Sequence, residues 1–362
     1  MTGWLPSVNS TEFFDFANES EPWFRNRLKE LVEHRTVSPG GQNFEDIREG
    51  AKAAARLIKE CGAEVELVES AGTPSILGRF THPNPRTRIL VYNHLDVQPA
   101  DPIGWNQSDP FQFEVQKDDE REFLYLGRGT TDDKGPALCS LRAASQIAAK
   151  ELPIEIVLLW ETEEEIGSPH FPEVLRAKEE ILRADAAVVS DTIWPSGNQP
   201  AIPSGLRGGV TASLHLETGK KDVHSGLVGG VARNPLRELS KIVTAIEGAT
   251  FCHRNVASLS TSEIDGFLQS GFDPEHFRNA YDLVHSKALE TGFGKSPAIV
   301  REGGSIGAVP QMQEILGLPV HFLPLSLPEH GYHAPNERFD WKQARGGIVA
   351  FCQLFSDLAS NR

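Results

Sequence analysis

Apolar residues recur at helical spacing across residues 20–62: Trp23, Leu28, Leu31 and Val32 mark one face, and Ala51, Ala54, Ala55, Leu57 and Ile58 mark another. Beyond them the pattern changes to short apolar runs at Val65–Val68, Arg88–Tyr92, Ile154–Trp160, Ala186–Ser190 and Leu318–Leu325. Runs of this length between polar and turn residues predict buried strands. Helical spacing lies between several of them, most clearly over Gly135–Lys150. Strands alternating with helices predict an α/β fold, a mixed and largely parallel sheet flanked by helices.

One stretch breaks the alternation. Val210, Ala212, Leu214 and Leu216 alternate as in a half-buried strand, and Leu236, Leu239, Ile242, Val243 and Ile246 mark one face of a helix opened by Asn234-Pro235. The reading is a small α+β insert over residues 207–270, between two parts of a main domain at 1–206 and 271–362. Residues 249–272 have weak periodicity, and Asp273-Pro274 opens a further helix to about Thr291.

Composition narrows the function classes. The 362 residues carry 50 acids against 35 bases, a formal charge of −15, which argues against a nucleic-acid or anionic-membrane surface. No run approaches the ~18 apolar residues of a membrane span. Residues 1–19 show neither a basic n-region nor an apolar h-region, so no signal peptide is expected. Cys61, Cys139, Cys252 and Cys352 are scattered without a CxxC, which predicts reduced thiols and a cytoplasmic setting.

The strand-like runs end in polar residues of metal-ligand type. VYNHLDV places His94 and Asp96 at i and i+2, on one face of a strand. IVLLWETEEEIGS ends in Glu163, Glu164 and Glu165; AAVVSDT ends in Asp191; LPVHFLPLSLPEHGYHAPNE leads to His330 and His333. GRGTTDDKGPALCS sets Asp132 and Asp133 on a glycine-bounded loop before a helix. Each piece alone has a plainer meaning: a core histidine, a solvated glutamate run, a helix cap. Together they fall where open α/β sheets bind ligands, at the carboxyl ends of strands. Imidazole and carboxylate without thiolate suit zinc or manganese better than an iron–sulfur cluster.

The segments NHLDVQPADPIGW, LGRGTTDDKGP, ETEEEIGS, VVSDT, DVHSG, REGGSIG and GYHAPNE occur in this order, and with them the chain resembles the M-20 family of dizinc exopeptidases, closest in wording to its dipeptidase branch. The resemblance implies two Zn²⁺ per subunit, with manganese or cobalt as alternatives. His94 and Asp191 would hold one metal, Glu165 and His333 the other, and Asp132 would bridge them. Asp96 would fix the ring of His94. Glu164 would be the general base, with Glu163 a bystander and Asp133 a helix cap. His333 is preferred over His330 because the family wording is GxHxxNE. His224, of the HSG motif, would reach the substrate carbonyl from the partner subunit of a homodimer formed through the lid. Arg301, Gly303, Gly304 and Ser305 resemble the loop that receives the substrate's carboxylate end. The arginine-bearing strand usual in the family's lid is not found, and the lid is short.

Three functions stay open at this point: a dizinc hydrolase of small peptides, an N-acyl amino-acid deacylase on the same metals, and a metal-binding interaction protein with a reduced lid. All five ligand positions and Glu164 are present, which favours an enzyme.

Overall fold

A computed structural model describes residues 10–41, 44–194, 200–203, 206, 212–249, 284–295, 297–300 and 306–360. The chain divides into two compact units, residues 1–207 with 282–362, and residues 208–281.

The described residues of the first unit form eleven strands: β1 (Glu64–Val68), β2 (Ser75–Phe80), β3 (Thr87–His94), β4 (Glu114–Asp118), β5 (Glu122–Leu126), β6 (Ile154–Glu161), β7 (Ala186–Val189), β8 (Ala201–Pro203), β9 (Ala298–Val300), β10 (Val320–Phe322) and β11 (Arg338–Asp340). Six form the central sheet in the order β1-β2-β6-β3-β7-β10. β6, β3, β7 and β10 run parallel, while β1 and β2 pair antiparallel at one edge. This is the mixed, largely parallel sheet expected from the alternation of strands and helices.

The middle strands carry continuous apolar runs, residues 89–92 in β3 and 156–160 in β6, because both faces are covered. Ile89 and Val91 of β3, with Ile156 and Leu158 of β6, pack into a core with the helices Gly135–Ala149 and Trp341–Ser360. Leu90 and Tyr92, with Val157 and Leu159, enter a second core with Phe171, Val174 and Met312. Period-2 alternation thus sorts one continuous apolar run onto two faces.

A smaller sheet, β11-β5-β4, lies apart from the central one. Antiparallel pairing of Arg338–Asp340 with Leu124–Leu126 brings the late GYHAPNE segment beside the GRGTTDDKGP loop. The Gly127 amide extends that contact by donating to the Glu337 carbonyl at 3.1 Å.

In the second unit, the helix Pro235–Glu247 forms where expected. The Asn234 side chain caps it, accepting from the amides of Leu236 at 2.9 Å and Arg237 at 3.3 Å. The strand expected at Val210–Leu216 does not form over its described part: residues 212–218 are irregular, and Leu214 is exposed. Among the described residues no strand lies beside it to take its hydrogen bonds, and an unpaired segment lacks half of what makes a strand. The helix expected from Asp273 is seen as Val284–Phe293; residues 251–283, with Cys252, lie outside the described set.

Candidate metal centre

The parallel strands β3, β6 and β7 end on one rim. Tyr92 pairs with Val189, and two residues further along each chain stand His94 and Asp191. His94 itself pairs with Glu161, three residues before Glu164. Asp132 reaches the same rim from the tight turn Thr130–Lys134 that precedes the helix Gly135–Ala149. His333 arrives on the loop before β11, with a positive φ of 55°.

Two groups of donor atoms result, each within 4.8 Å: His94, Asp132 and Asp191 in one, Asp132, Glu165 and His333 in the other. Asp132 belongs to both. Its Oδ1 lies 3.0 Å from His94 Nε2, and its Oδ2 lies 3.0 Å from His333 Nε2. Asp191 Oδ2 is 3.7 Å from His94 Nε2, and Glu165 Oε2 is 3.1 Å from His333 Nε2.

The rest of the rim holds these groups in place. His94 Nδ1 donates to the Asp96 carbonyl at 3.0 Å, while the Asp96 carboxylate stands 3.5 Å from the same nitrogen. The Asp96 carboxylate is occupied elsewhere: it accepts from the amides of Glu164 at 3.1 Å and Glu165 at 3.0 Å, and from Ser38 Oγ at 2.6 Å. Gln98 grips the Glu165 carboxylate through its side-chain amide at 2.7 Å and its main-chain amide at 3.1 Å.

His330 faces away from both groups. It is buried, with Nε2 2.9 Å from Asp340 and Nδ1 3.0 Å from Thr131 Oγ1. Asp133 is not a helix cap: no side chain caps the helix Gly135–Ala149, and buried Asp133 accepts from Asn93 Nδ2 at 2.7 Å and the His94 amide at 3.3 Å. Glu163 is buried rather than solvated, accepting from the Thr73 amide at 3.0 Å and paired with His170 at 2.9 Å.

Glu337 had no role assigned from sequence. Its carboxylate takes Arg128 at 2.7 Å and the amides of Gly129, Thr131 and Asp132 at 3.0, 3.1 and 3.2 Å, so one buried side chain shapes the loop that carries Asp132. Its place in the GYHAPNE motif is the only signal the sequence holds for it.

The charges of the cluster call for cations. A carbonyl only accepts, so Nδ1 of His94 carries a proton and Nε2 faces the carboxylates of Asp132 and Asp191 with its lone pair unless something positive sits there. Accordingly His94 binds a proton well above the usual imidazole range: burial opposes this, and the Asp191 charge with hydrogen bonds to Asp132, Asp191 and Asp96 prevails. Hydrogen bonds to Asp132 and Glu165 raise His333 to about 10. Burial raises Asp191 to about 6 against the pull of His94. Burial also raises Glu164 to about 9, opposed by His94 and reinforced by Asp191, Asp96 and Asp132. Imidazole and carboxylate donors, a shared carboxylate and unmet negative charge fit a pair of divalent cations.

His224 lies in the second unit, exposed, at the N-terminus of the short turn Ser225–Val228, where its Nδ1 accepts from the Gly226 amide at 3.0 Å. Arg301, Gly303, Gly304 and Ser305 lie outside the described residues.

A doubly covered sheet with two overlapping histidine–carboxylate groups on its rim is the plan of a metal-dependent hydrolase. The model of peptidase family M20/M25/M40 matches residues 90–357, and the chain belongs to that family. It is 26% identical to the Cys-Gly metallodipeptidase Dug1 of Schizosaccharomyces pombe, over 79% of this chain and 83% of that protein. It is 29% identical to the Saccharomyces cerevisiae enzyme of the same name, over 98% and 100%. Human Beta-Ala-His dipeptidase is 28% identical, over 76% of this chain and 58% of its own length. The crystal structures of human carnosine dipeptidase 1 and of yeast Dug1p share the fold, with TM-scores of 0.78 and 0.79 at 22% and 21% identity. They cover 98% and 96% of this chain and 100% and 99% of their own. Among the described residues, no helix is long and apolar enough to cross a membrane.

Proposed function

We propose that the protein is a dizinc exopeptidase that hydrolyses dipeptides, with Glu164 as its general base. The observation that carries this reading is Asp132, whose two carboxylate oxygens each face a different histidine. His94 and Asp191 complete one metal site, Glu165 and His333 the other. When bound, the ions supply a polarised scissile carbonyl and a water of lowered pKa. Glu164 would accept a proton from the attacking water and return it to the leaving amine, a role worth roughly 10²–10⁴-fold. Asp96 aligns the main chain of Glu164 and Glu165 and holds the ring of His94. Arg301, Gly303, Gly304 and Ser305 receive the carboxylate end of the substrate.

The segment 207–270 serves as a lid through which two copies pair, carrying His224 to the neighbour's scissile carbonyl. A net charge of −15 supports small-molecule substrates over nucleic acid or membranes. Cys61, Cys139 and Cys352 are free, which supports a cytoplasmic setting.

Protein purified without chelator is expected to carry about two zinc equivalents and to turn over a dipeptide panel but not an N-acetyl amino-acid panel. Turnover of the second panel alone would make it a deacylase. Two bound metals with neither activity would make it a binding protein. For the lid, a mixture of His224→Ala and Glu164→Gln subunits is expected to regain partial activity that neither has alone. A fully active monomer would overturn the cross-subunit role.

A further inference from the structure

Asn93 sits one residue before His94, on the face of β3 opposite to it, fully buried. Its side-chain amide has two protons, and both are used. One goes to Asp133 Oδ2 at 2.7 Å and the other to Ser190 Oγ at 2.7 Å. Its oxygen accepts from Ser140 Oγ at 3.2 Å. Asp133 follows Asp132 directly in the chain, and Ser190 directly precedes Asp191. Each of the three residues that form the His94–Asp132–Asp191 group therefore has a chain neighbour that either is Asn93 or is bonded to its amide. Asp133 closes the loop by accepting from the His94 amide with the same oxygen at 3.3 Å. The Glu165–His333 side of the centre has no comparable tie among the described residues: its supports are Gln98 and Asp96.

We infer that Asn93 is a positioning residue for one half of the metal centre, a single amide that sets the spacing of His94, Asp132 and Asp191 without touching a metal. The inference rests on the reading of those three residues as ligands. The chemistry of the site calls for an amide. A carboxylate there would offer no protons and would face Asp133. A leucine of similar volume would fill the space, take the amide partner from Ser190 and leave Asp133 only its longer contact with the His94 amide. Residues that orient metal ligands typically cost 10–100-fold in metal affinity when removed.

The test is zinc titration of metal-stripped protein against a competing chromophoric chelator. Asp191→Ala and His333→Ala identify which binding phase belongs to which half. Asn93→Leu is expected to weaken the Asp191-dependent phase by about 10–100-fold and to leave the His333-dependent phase within about threefold. Ser190→Ala, which removes one acceptor and leaves the core intact, is expected to shift the same phase in the same direction by a smaller factor. If Asn93→Leu does not fold, Ser190→Ala decides alone. Unchanged affinity in both phases would overturn the inference. So would equal weakening of both phases together with a lower melting temperature of the metal-free protein, which would make Asn93 a general core residue. Failure of the unmodified protein to bind two zinc ions would instead remove the ligand reading itself.

Discussion

The two halves of the candidate metal centre are built by different means. His94 and Asp191 stand at or just beyond the ends of adjacent parallel strands, and the His94 side chain is 0% exposed. Glu165 lies in the single 3-10 turn Glu164–Ile166, and His333 on a loop, with its side chain 54% exposed. The inner half inherits its geometry from strand register, which two hydrogen-bonded backbones determine closely. The outer half has no ladder beneath it. Its geometry comes from side chains: Asp96 accepts from the main-chain amides of Glu164 and Glu165, and Gln98 holds the Glu165 carboxylate. The strand-built half and the tethered half are joined by Asp132, and on the tethered side His333 is the exposed member while the Glu165 side chain is buried.

The largest effect is expected between the halves. Glu164→Gln should reduce turnover by about 10²–10⁴-fold while both zinc equivalents remain, because a base touches water and not metal. Glu165→Gln should instead weaken zinc binding at the His333 side. An exchange of these two phenotypes would move the base by one residue and redraw the outer half.

A second experiment sets the halves directly against each other. In the metal-free protein, His94→Ala strips a buried cluster of carboxylates of its positive partner, a loss of about 3–5 kcal/mol. His333→Ala removes a half-exposed imidazole and leaves Asp132 its His94 partner, so a smaller loss than for His94→Ala is expected. Urea unfolding of both variants reads the difference. Equal losses would mean that the outer half is as tightly built as the inner one.

A pH-dependent effect concerns Lys134, buried beneath the Asp132 turn and donating to the carbonyls of Leu31 at 2.9 Å and His34 at 3.2 Å. Burial lowers its pKa from 10.5 to about 7, against the attraction of Glu337 and Asp96. Between those values the unfolded chain binds more protons than the folded one, so this group makes stability rise with pH from about 7 to 10. Lys134→Met removes that contribution. Urea titrations of metal-free protein should show the variant gaining less stability across this window, by up to about 1.4 kcal/mol per pH unit. Parallel curves for the two proteins would show that Lys134 keeps its proton and that the floor of the inner half is wetter than its packing indicates.

Much of the fold was legible in the apolar pattern. Fully buried strands such as Ile154–Glu161 need apolar residues on both faces, and that leaves a continuous run in the sequence. The strands of the smaller sheet were not legible in this way. β4, Glu114–Asp118, is largely exposed and charged, so its pattern resembles a loop. The insert shows the converse: alternation at Ala212, Leu214 and Leu216 is present, and the described residues there form no ladder. Pairing requires a second strand, and periodicity does not report whether one is near.

The sequence by itself determined the chemical inventory of this protein: imidazoles and carboxylates at the ends of apolar runs, in an order that the M-20 family shares. Those are one-dimensional facts, because strand ends and motif order are properties of the chain. Only the tertiary structure decided which of the neighbouring candidates meet. His330 and His333 are three residues apart, yet one turns into a buried pair with Asp340 and the other towards Asp132. Asp132 and Asp133 are adjacent, yet one faces both histidines and the other is tied under β3 by Asn93. The partners that settle these choices lie far away in the chain, and Glu337 binds a loop more than two hundred residues before it. Hydrogen bonds have direction and reach only about 3 Å, so the pairing of such groups is decided when the sheet and the β5–β11 ladder bring their backbones together.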